Sequence, residues 1–131
     1  MDVPGGLLYT KTHEWARVEP NGEVIVGISD HAQSELKDVV FVELPQAGRA
    51  VKQGEACAVV ESVKAAFDIY APVAGQVTRV NAALEKAPQL INQEPYGQGW
   101  FFAVKPADQR ELETLLPPGD YAKLLTAAAS H

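Results

Sequence analysis

The most distinctive chemical setting in the chain is that of Lys64, within Val60-Glu61-Ser62-Val63-Lys64-Ala65-Ala66-Phe67-Asp68-Ile69-Tyr70. Strand-like runs enter and leave this stretch, so its middle reads as a hairpin tip with Lys64 at the end. An exposed lysine amine, with a pKa of about 10.4, stays protonated at neutral pH and is a poor nucleophile. Burial or crowding by other cations would activate it, and nothing nearby in the sequence supplies either. An amine on a rigid tip can instead be acylated by another enzyme. The amide is uncharged, and the tip becomes the base of a long arm. Three other readings stand beside this one: an ordinary solvated lysine, a Schiff-base enzyme using Lys64 with Glu14 or His31 as base, and an unmodified interaction module.

The elements that would hold such a tip are short. From Leu7 to about Val104, Gly, Pro or Asn interrupts the chain every few residues. Between the breaks lie Glu23-Val24-Ile25-Val26-Gly27, Val39-Val40-Phe41-Val42, Ala56-Cys57-Ala58-Val59-Val60 and Trp100-Phe101-Phe102-Ala103-Val104. Runs of this kind between turn formers read as the strands of a sandwich or barrel. Asn21-Gly22 predicts a two-residue hairpin, both residues tolerating positive φ. Pro45-Gln46-Ala47-Gly48 is echoed by Pro72-Val73-Ala74-Gly75, which suggests two related turns flanking the lysine hairpin. Asp30, with Gln33 three residues on, reads as the N-cap of a short internal helix. Residues 107–126 read as a C-terminal helical segment. Asp108 would cap it, Leu112, Leu115 and Leu116 would share a face, and Pro117-Pro118 would break it before Tyr121, Leu124 and Leu125. The Ala127-Ala128-Ala129-Ser130 tail is expected to fray.

Composition narrows the partners. The chain has 131 residues, a length that predicts one domain over 1–131. Eleven Lys+Arg against seventeen Asp+Glu give a net charge of −6. That balance argues against nucleic acid, which requires clustered positive charge. A single cysteine, Cys57, excludes an internal disulfide framework and a multi-cysteine metal site, so no metal is expected. Cys57 itself, in an apolar strand, reads as buried and inert. The N-terminal residues lack signal-peptide and transit features. No apolar run approaches the roughly 20 residues that a membrane helix needs. The expectation is a monomer without membrane contact, cytoplasmic in a bacterium and in the mitochondrial matrix of a eukaryote.

The segment Glu61-Ser62-Val63-Lys64-Ala65-Ala66, followed by Asp68-Ile69-Tyr70-Ala71-Pro72-Val73-Ala74-Gly75, resembles the lipoylation site of the glycine cleavage system H-protein family. The resemblance extends over nearly the whole chain. It includes Thr12-His13-Glu14-Trp15, Val26-Gly27-Ile28-Ser29-Asp30-His31-Ala32-Gln33, Val39-Val40-Phe41-Val42-Glu43-Leu44-Pro45 and Pro88-Gln89-Leu90-Ile91-Asn92-Gln93-Glu94-Pro95-Tyr96-Gly97-Gln98-Gly99-Trp100. A biotinyl site would place methionines where Val63 and Ala65 stand. The lipoyl domain of an acyltransferase usually has Asp before the lysine and lacks the His31 and Tyr96–Trp100 segments.

The resemblance implies a mainly β, lipoyl-domain-like sandwich or flattened barrel of two antiparallel sheets, with a short internal helix and C-terminal helices. It implies a non-catalytic carrier with lipoate joined to Lys64. The arm would take an aminomethyl group from the pyridoxal-phosphate enzyme glycine decarboxylase, the P protein. It would pass that group to the tetrahydrofolate-dependent aminomethyltransferase, the T protein. The dithiol would then be reoxidised by the FAD enzyme dihydrolipoyl dehydrogenase, the L protein. A lipoyl ligase or a lipoyl/octanoyl transferase would install the group. An alternative role is a lipoyl relay that donates to other 2-oxoacid dehydrogenase complexes. By position, Glu61 and Gly75 match residues used in recognition by the lipoylating enzyme, while Glu14, His31, Asp68 and Thr12 match residues of the arm's docking cleft. Phe67 departs from the family's usual small Ser or Thr, and bears on the shape of that cleft.

Overall fold

The computed structural model describes residues 2–129. It contains two antiparallel sheets, as the resemblance implies. The larger has six strands in the order β1-β2-β3-β9-β8-β5: β1 (Leu8–Tyr9), β2 (Glu14–Val18), β3 (Val24–Ile28), β9 (Phe102–Pro106), β8 (Gly75–Val80) and β5 (Ala50–Val51). The smaller has the order β4-β6-β7: β4 (Val39–Glu43), β6 (Ala56–Ser62) and β7 (Ala66–Tyr70). Helix α1 (Asp30–Leu36) joins β3 to β4, and the short helices α2 (Ala83–Lys86) and α3 (Leu90–Gln93) precede β9. A 3₁₀ helix, Gln109–Thr114, and helix α4 (Pro118–Ala129) close the chain.

Strand β3 explains the layering. Its run Val-Ile-Val-Gly-Ile is buried at every position because the large sheet is covered on both faces. Val24, Val26 and Ile28 join the core between the sheets, with Val60, Ile69, Phe102 and Val104. Ile25 points the other way, into a second cluster with Tyr9, Trp15, Ala103 and Tyr121. Leu124 and Leu125 of α4 pack against that cluster, so the apolar face of the C-terminal helix covers the outer side of the large sheet. Each fully buried aliphatic or aromatic side chain contributes about 1.5–3 kcal/mol. Gly27 is required by its neighbour across the pair: a Cβ there would lie 2.5 Å from the Trp15 ring.

Several local expectations are corrected. The β2–β3 loop has three residues, not two. Gly22 N–H donates to Glu19 O (2.9 Å), Glu19 N–H donates to Glu23 O (2.8 Å), and only Gly22, at φ 91°, is left-handed. Pro20 favours the first central position of a type I turn, and that turn needs one left-handed residue after it to rejoin the ladder. The N-cap of α1 is Ser29, whose hydroxyl accepts from Ala32 N–H at 3.2 Å; Asp30 lies in the first turn. The segment after Asp108 forms only a 3₁₀ helix. Leu116 is extended and bridges Tyr9 with hydrogen bonds of 2.7 and 2.8 Å, because Pro117 disfavours helical geometry in the residue before it. Pro118 then begins α4, a position where its missing N–H costs nothing. The helix runs through Ala129, past the expected fraying point, and Ser130 lies outside the described residues.

The echoed segments meet, but as unlike structures. Residues 48–51 run antiparallel to 75–77, with Ala50 opposite Gln76 and Val51 opposite Gly75. Gly48 is a left-handed turn residue at φ 95°, whereas Gly75 opens strand β8 opposite Pro106. Gly75 is therefore no turn. A Cβ on it would lie 2.1 Å from the carbonyl oxygen of Lys105, so the strands could not keep their spacing. Replacing Gly75 with Ala is expected to destabilise the fold by roughly 1–3 kcal/mol, read from urea unfolding midpoints. Gly119→Ala, a helical site with open space around it, is expected to stabilise the fold by up to about 1 kcal/mol by the same measurement.

Candidate functional site

Lys64 is exposed at the tip of the β6–β7 hairpin, and it forms no ion pair among the described residues. The tip is held by its own backbone and one hydroxyl. Ser62 N–H donates to Ala65 O (2.8 Å), while Ser62 Oγ accepts from Lys64 N–H (3.1 Å) and Ala65 N–H (3.0 Å). Val63 N–H reaches Asp38 O at 3.2 Å, which anchors the tip to the α1–β4 connection. The lysine is thus neither desolvated nor crowded, as a Schiff-base amine would need to be.

The same hairpin forms one wall of a cleft of about 470 Å³. Val60, Phe67 and Ile69 supply an apolar side, Ile28, Ala32 and Leu36 an apolar floor and opposite wall, and Lys11, Thr12, His13, His31, Glu35 and Asp68 the polar groups. Phe67, close to half exposed, lies along this cleft where a small residue was the family expectation. Its ring adds apolar surface to the cleft wall.

The residues named from sequence separate into groups. His31, Asp68 and Thr12 all line this cleft. His31 stands on α1 with its Nε2 3.8 Å from Glu35 Oε1 and its ring 4.6 Å from that of His13. Asp68 also borders a depression with Glu43 and Arg49 on the far side of β7. Glu14 instead borders an adjoining recess of about 250 Å³, which shares Lys11, Thr12 and Tyr70 with the cleft. It is no solvated strand residue: it is 1% exposed. Thr10 Oγ1 donates to its Oε1, Thr12 Oγ1 donates to the same oxygen at 2.5 Å, and Tyr70 N–H donates to Oε2 at 3.2 Å. Thr12's hydroxyl is therefore committed to Glu14. Burial raises the Glu14 pKa above the ordinary carboxylate value, and the donors from Thr10, Thr12 and Tyr70 offset part of that rise. Glu61 is exposed on β6 between Phe41 and Ala66. Cys57 is buried, its thiol pKa pushed up to about 12 by desolvation, and takes no part.

Two groups that shape the cleft were not singled out from sequence. His13 has a left-handed backbone, φ 76°, and its Nδ1 lies 2.7 Å from the hydroxyl of Tyr121. Tyr121, on α4, lies in turn 2.7 Å from Ser29 Oγ and stacks its ring on Tyr9 at 4.5 Å. Left-handed geometry costs a non-glycine residue roughly 1–2 kcal/mol, so something holds His13 there. Nothing local to Tyr121 marked its hydroxyl as part of the site.

A glycine cleavage H-protein family model matches residues 7–128. A glycine cleavage system H protein of Thermus thermophilus is 58% identical over 130 residues, covering 98% of this chain and all of that protein. That of Xanthomonas campestris pv. campestris strain B100 is 56% identical over 95% of each chain. The crystal structure of a glycine cleavage system H protein from Mycobacterium marinum superposes with a TM-score of 0.83 at 40% identity, over 92% of this chain and 96% of that one. The chain belongs to the glycine cleavage H-protein family. Members of this family are the lipoyl carriers of the glycine cleavage system, and this chain is such a carrier subunit.

The raised Glu14 pKa has a measurable consequence. The folded chain takes up this proton at a pH where the unfolded chain, with an ordinary value of about 4.3, does not. Stability contributed by Glu14 is therefore fullest at and below that ordinary value, and it is lost as pH rises through the raised one. Relative to Glu14→Gln, the native chain should gain stability as pH falls from about 7 to about 4. Urea midpoints measured across that range check it; a constant difference would contradict the assignment.

Proposed function

We propose that lipoate is carried on Lys64 and that this chain presents the arm in turn to the P, T and L proteins of the glycine cleavage system. The observation that carries this reading is the exposed, unpaired lysine on a hydroxyl-braced tip whose own hairpin walls the cleft. Lipoate supplies a redox-active dithiol that accepts and releases the aminomethyl unit, a function for which the buried Cys57 is unsuited. The fit favours this group: an apolar cleft suits its hydrocarbon chain, and polar residues at the rim suit an amine.

The chain's own residues divide the work. Ser62 fixes the tip so that the lysine leads outward to a modifying enzyme. Glu61, exposed three residues before it, serves as a recognition carboxylate for the lipoyl ligase or transferase. Gly75 contributes to that recognition by letting β8 lie close against β9. Asp68 and His31 offer acceptors to the cargo amine, which a carboxylate holds by charge-assisted hydrogen bonds. Glu14 and Thr12 set the wall behind them, where Glu14 grips Tyr70. Enclosure by Phe67, Ile28 and Ile69 keeps water from the labile N–C–S linkage. The tether raises the local concentration of the arm at each enzyme. The relatives named above are bacterial, which supports a cytoplasmic carrier.

Intact-mass measurement after co-expression with a competent lipoyl ligase tests the attachment. One lipoyl group should be gained when lipoate is supplied, and Lys64→Arg should abolish the gain while leaving the stability to urea within about 0.5 kcal/mol of wild type. Absence of the gain in the native chain would overturn the reading.

A further inference from the structure

The turns Thr10–Glu14 and Glu19–Glu23 are built alike. In each, the fourth residue donates its N–H to the first (His13 to Thr10, 3.2 Å; Gly22 to Glu19, 2.9 Å). In each, the first donates to the fifth (Thr10 to Glu14, 2.9 Å; Glu19 to Glu23, 2.8 Å). The left-handed position holds Gly22 in one and His13 in the other. Glycine is the residue this backbone asks for, so the imidazole at position 13 is retained against a conformational preference. Strain of this kind, where it is observed, points to a function for the side chain.

The surroundings define which function. Ser29 is buried, and its oxygen already accepts from Ala32 N–H. Its own proton has the Tyr121 oxygen as a neighbour at 2.7 Å. If Ser29 donates there, Tyr121 donates its proton to His13 Nδ1, and the neutral imidazole keeps its proton on Nε2. Burial holds the proton on Tyr121, and burial together with neighbouring His31 lowers the His13 pKa, so the ring is neutral at pH 7. Nε2 has no hydrogen-bond partner among the described residues, and no buried side-chain nitrogen or oxygen among them lacks one. Nε2 is therefore reached by solvent, and His13 is one of the residues that line the cleft. The other polar side chains there are Lys11, Thr12, His31, Glu35, Asp68 and Tyr70, of which Glu35 and Asp68 are acceptors when ionised.

We propose that His13 is a cargo-binding residue of this cleft, donating its Nε2–H to the lone pair of the arm's neutral amine, with Tyr121 of α4 as the residue that positions it. This inference rests on the reading that the loaded arm docks in the cleft. An amine on a carbon that also bears sulfur expels the sulfur by means of that lone pair. A hydrogen bond donated into the lone pair opposes the loss, whereas the carboxylates contact only the amine's N–H groups. The C-terminal helix is thereby part of the binding site, although none of its own atoms need touch the cargo.

Two measurements test it. Histidine ¹⁵N spectra of the unmodified chain should show His13 as the Nε2–H tautomer. Tyr121→Phe, which keeps the ring stacked on Tyr9, should shift that tautomer balance. An Nδ1–H tautomer in the native chain, or no change in Tyr121→Phe, overturns the proposal. Separately, formaldehyde release from the aminomethyl-loaded chain is followed without partner enzymes and compared with the same group on free dihydrolipoamide. His13→Gly should keep the fold, since the twin turn already uses glycine, and should speed release by about threefold to tenfold, the worth of one hydrogen bond. If the native chain releases its cargo as fast as the free compound, docking itself fails. If the native chain protects it and His13→Gly protects it equally, docking stands and the role of His13 falls.

Discussion

The turn from Thr10 to Glu14 carries most of the constraints on which the cleft depends. Thr10 and Thr12 turn their hydroxyls inward to the Glu14 carboxylate, and Glu14 in turn holds Tyr70 N–H on the lysine hairpin. The next residue back, His13, accepts from Ser29 N–H through its carbonyl at 2.9 Å and meets Tyr121 through its ring. Trp15, one residue on, is fully buried beneath α4 and donates to Pro95 O at 2.9 Å. Three successive residues thus tie the start of β2 to the smaller sheet, to α1 and α4, and to the outer core. Within β2, Glu14 and Trp15 point to opposite faces of the sheet, while the left-handed turn at His13 brings its ring to Tyr121.

A buried carboxylate at such a junction is a costly choice if it is unpaired. Here the Thr10 and Thr12 hydroxyls and the Tyr70 N–H surround the Glu14 carboxylate, which forms no ion pair among the described residues. The Glu14 N–H in turn donates to Thr10 Oγ1 at 3.1 Å, which closes the network on the turn itself. Such a network positions a strand edge directionally, which apolar packing alone does not. The consequence for a carrier is that the β7 wall keeps its distance from α1, so the cleft exists before any arm enters it. Preformed geometry lowers the entropic cost of docking.

The hairpin and the cleft divide the functional requirements between them. The tip must reach into the active sites of other proteins, so it is exposed and held mainly by local hydrogen bonds. The cleft must exclude water, so its walls come from the sandwich core: Val60, Ile69, Ile28 and Leu36 are all buried. Phe67 belongs to both regions, following the tip in sequence and lining the cleft in space. A net charge of −6 adds a general field that favours encounter with basic surfaces.

Much of this was legible in the residues alone. Short β-rich runs between turn formers determined the strands of a sandwich or barrel, and Lys64 between two such runs determined a hairpin tip, because both signals depend on neighbours along the chain; the arrangement in two antiparallel sheets was implied only by the family resemblance. The order of motifs around Lys64 pointed to the family that the comparisons identified. Local details that hinge on one competing preference went differently. Pro20 lengthened the expected hairpin loop, Ser29 displaced Asp30 as the cap, and Pro117 pulled Leu116 out of a helix and onto Tyr9. Contacts distant in sequence were decided only by tertiary structure. The burial of Glu14 is decided only when β7 is folded over it, and Tyr121 reads as one more apolar helix position until Ser29 and His13 close around its hydroxyl. Gly75 reads as a turn until β9 is laid against it. Patterns repeating every two or four residues announce elements; which polar atom meets which across the core depends on how those elements pack, and that information lies in no single stretch of the chain.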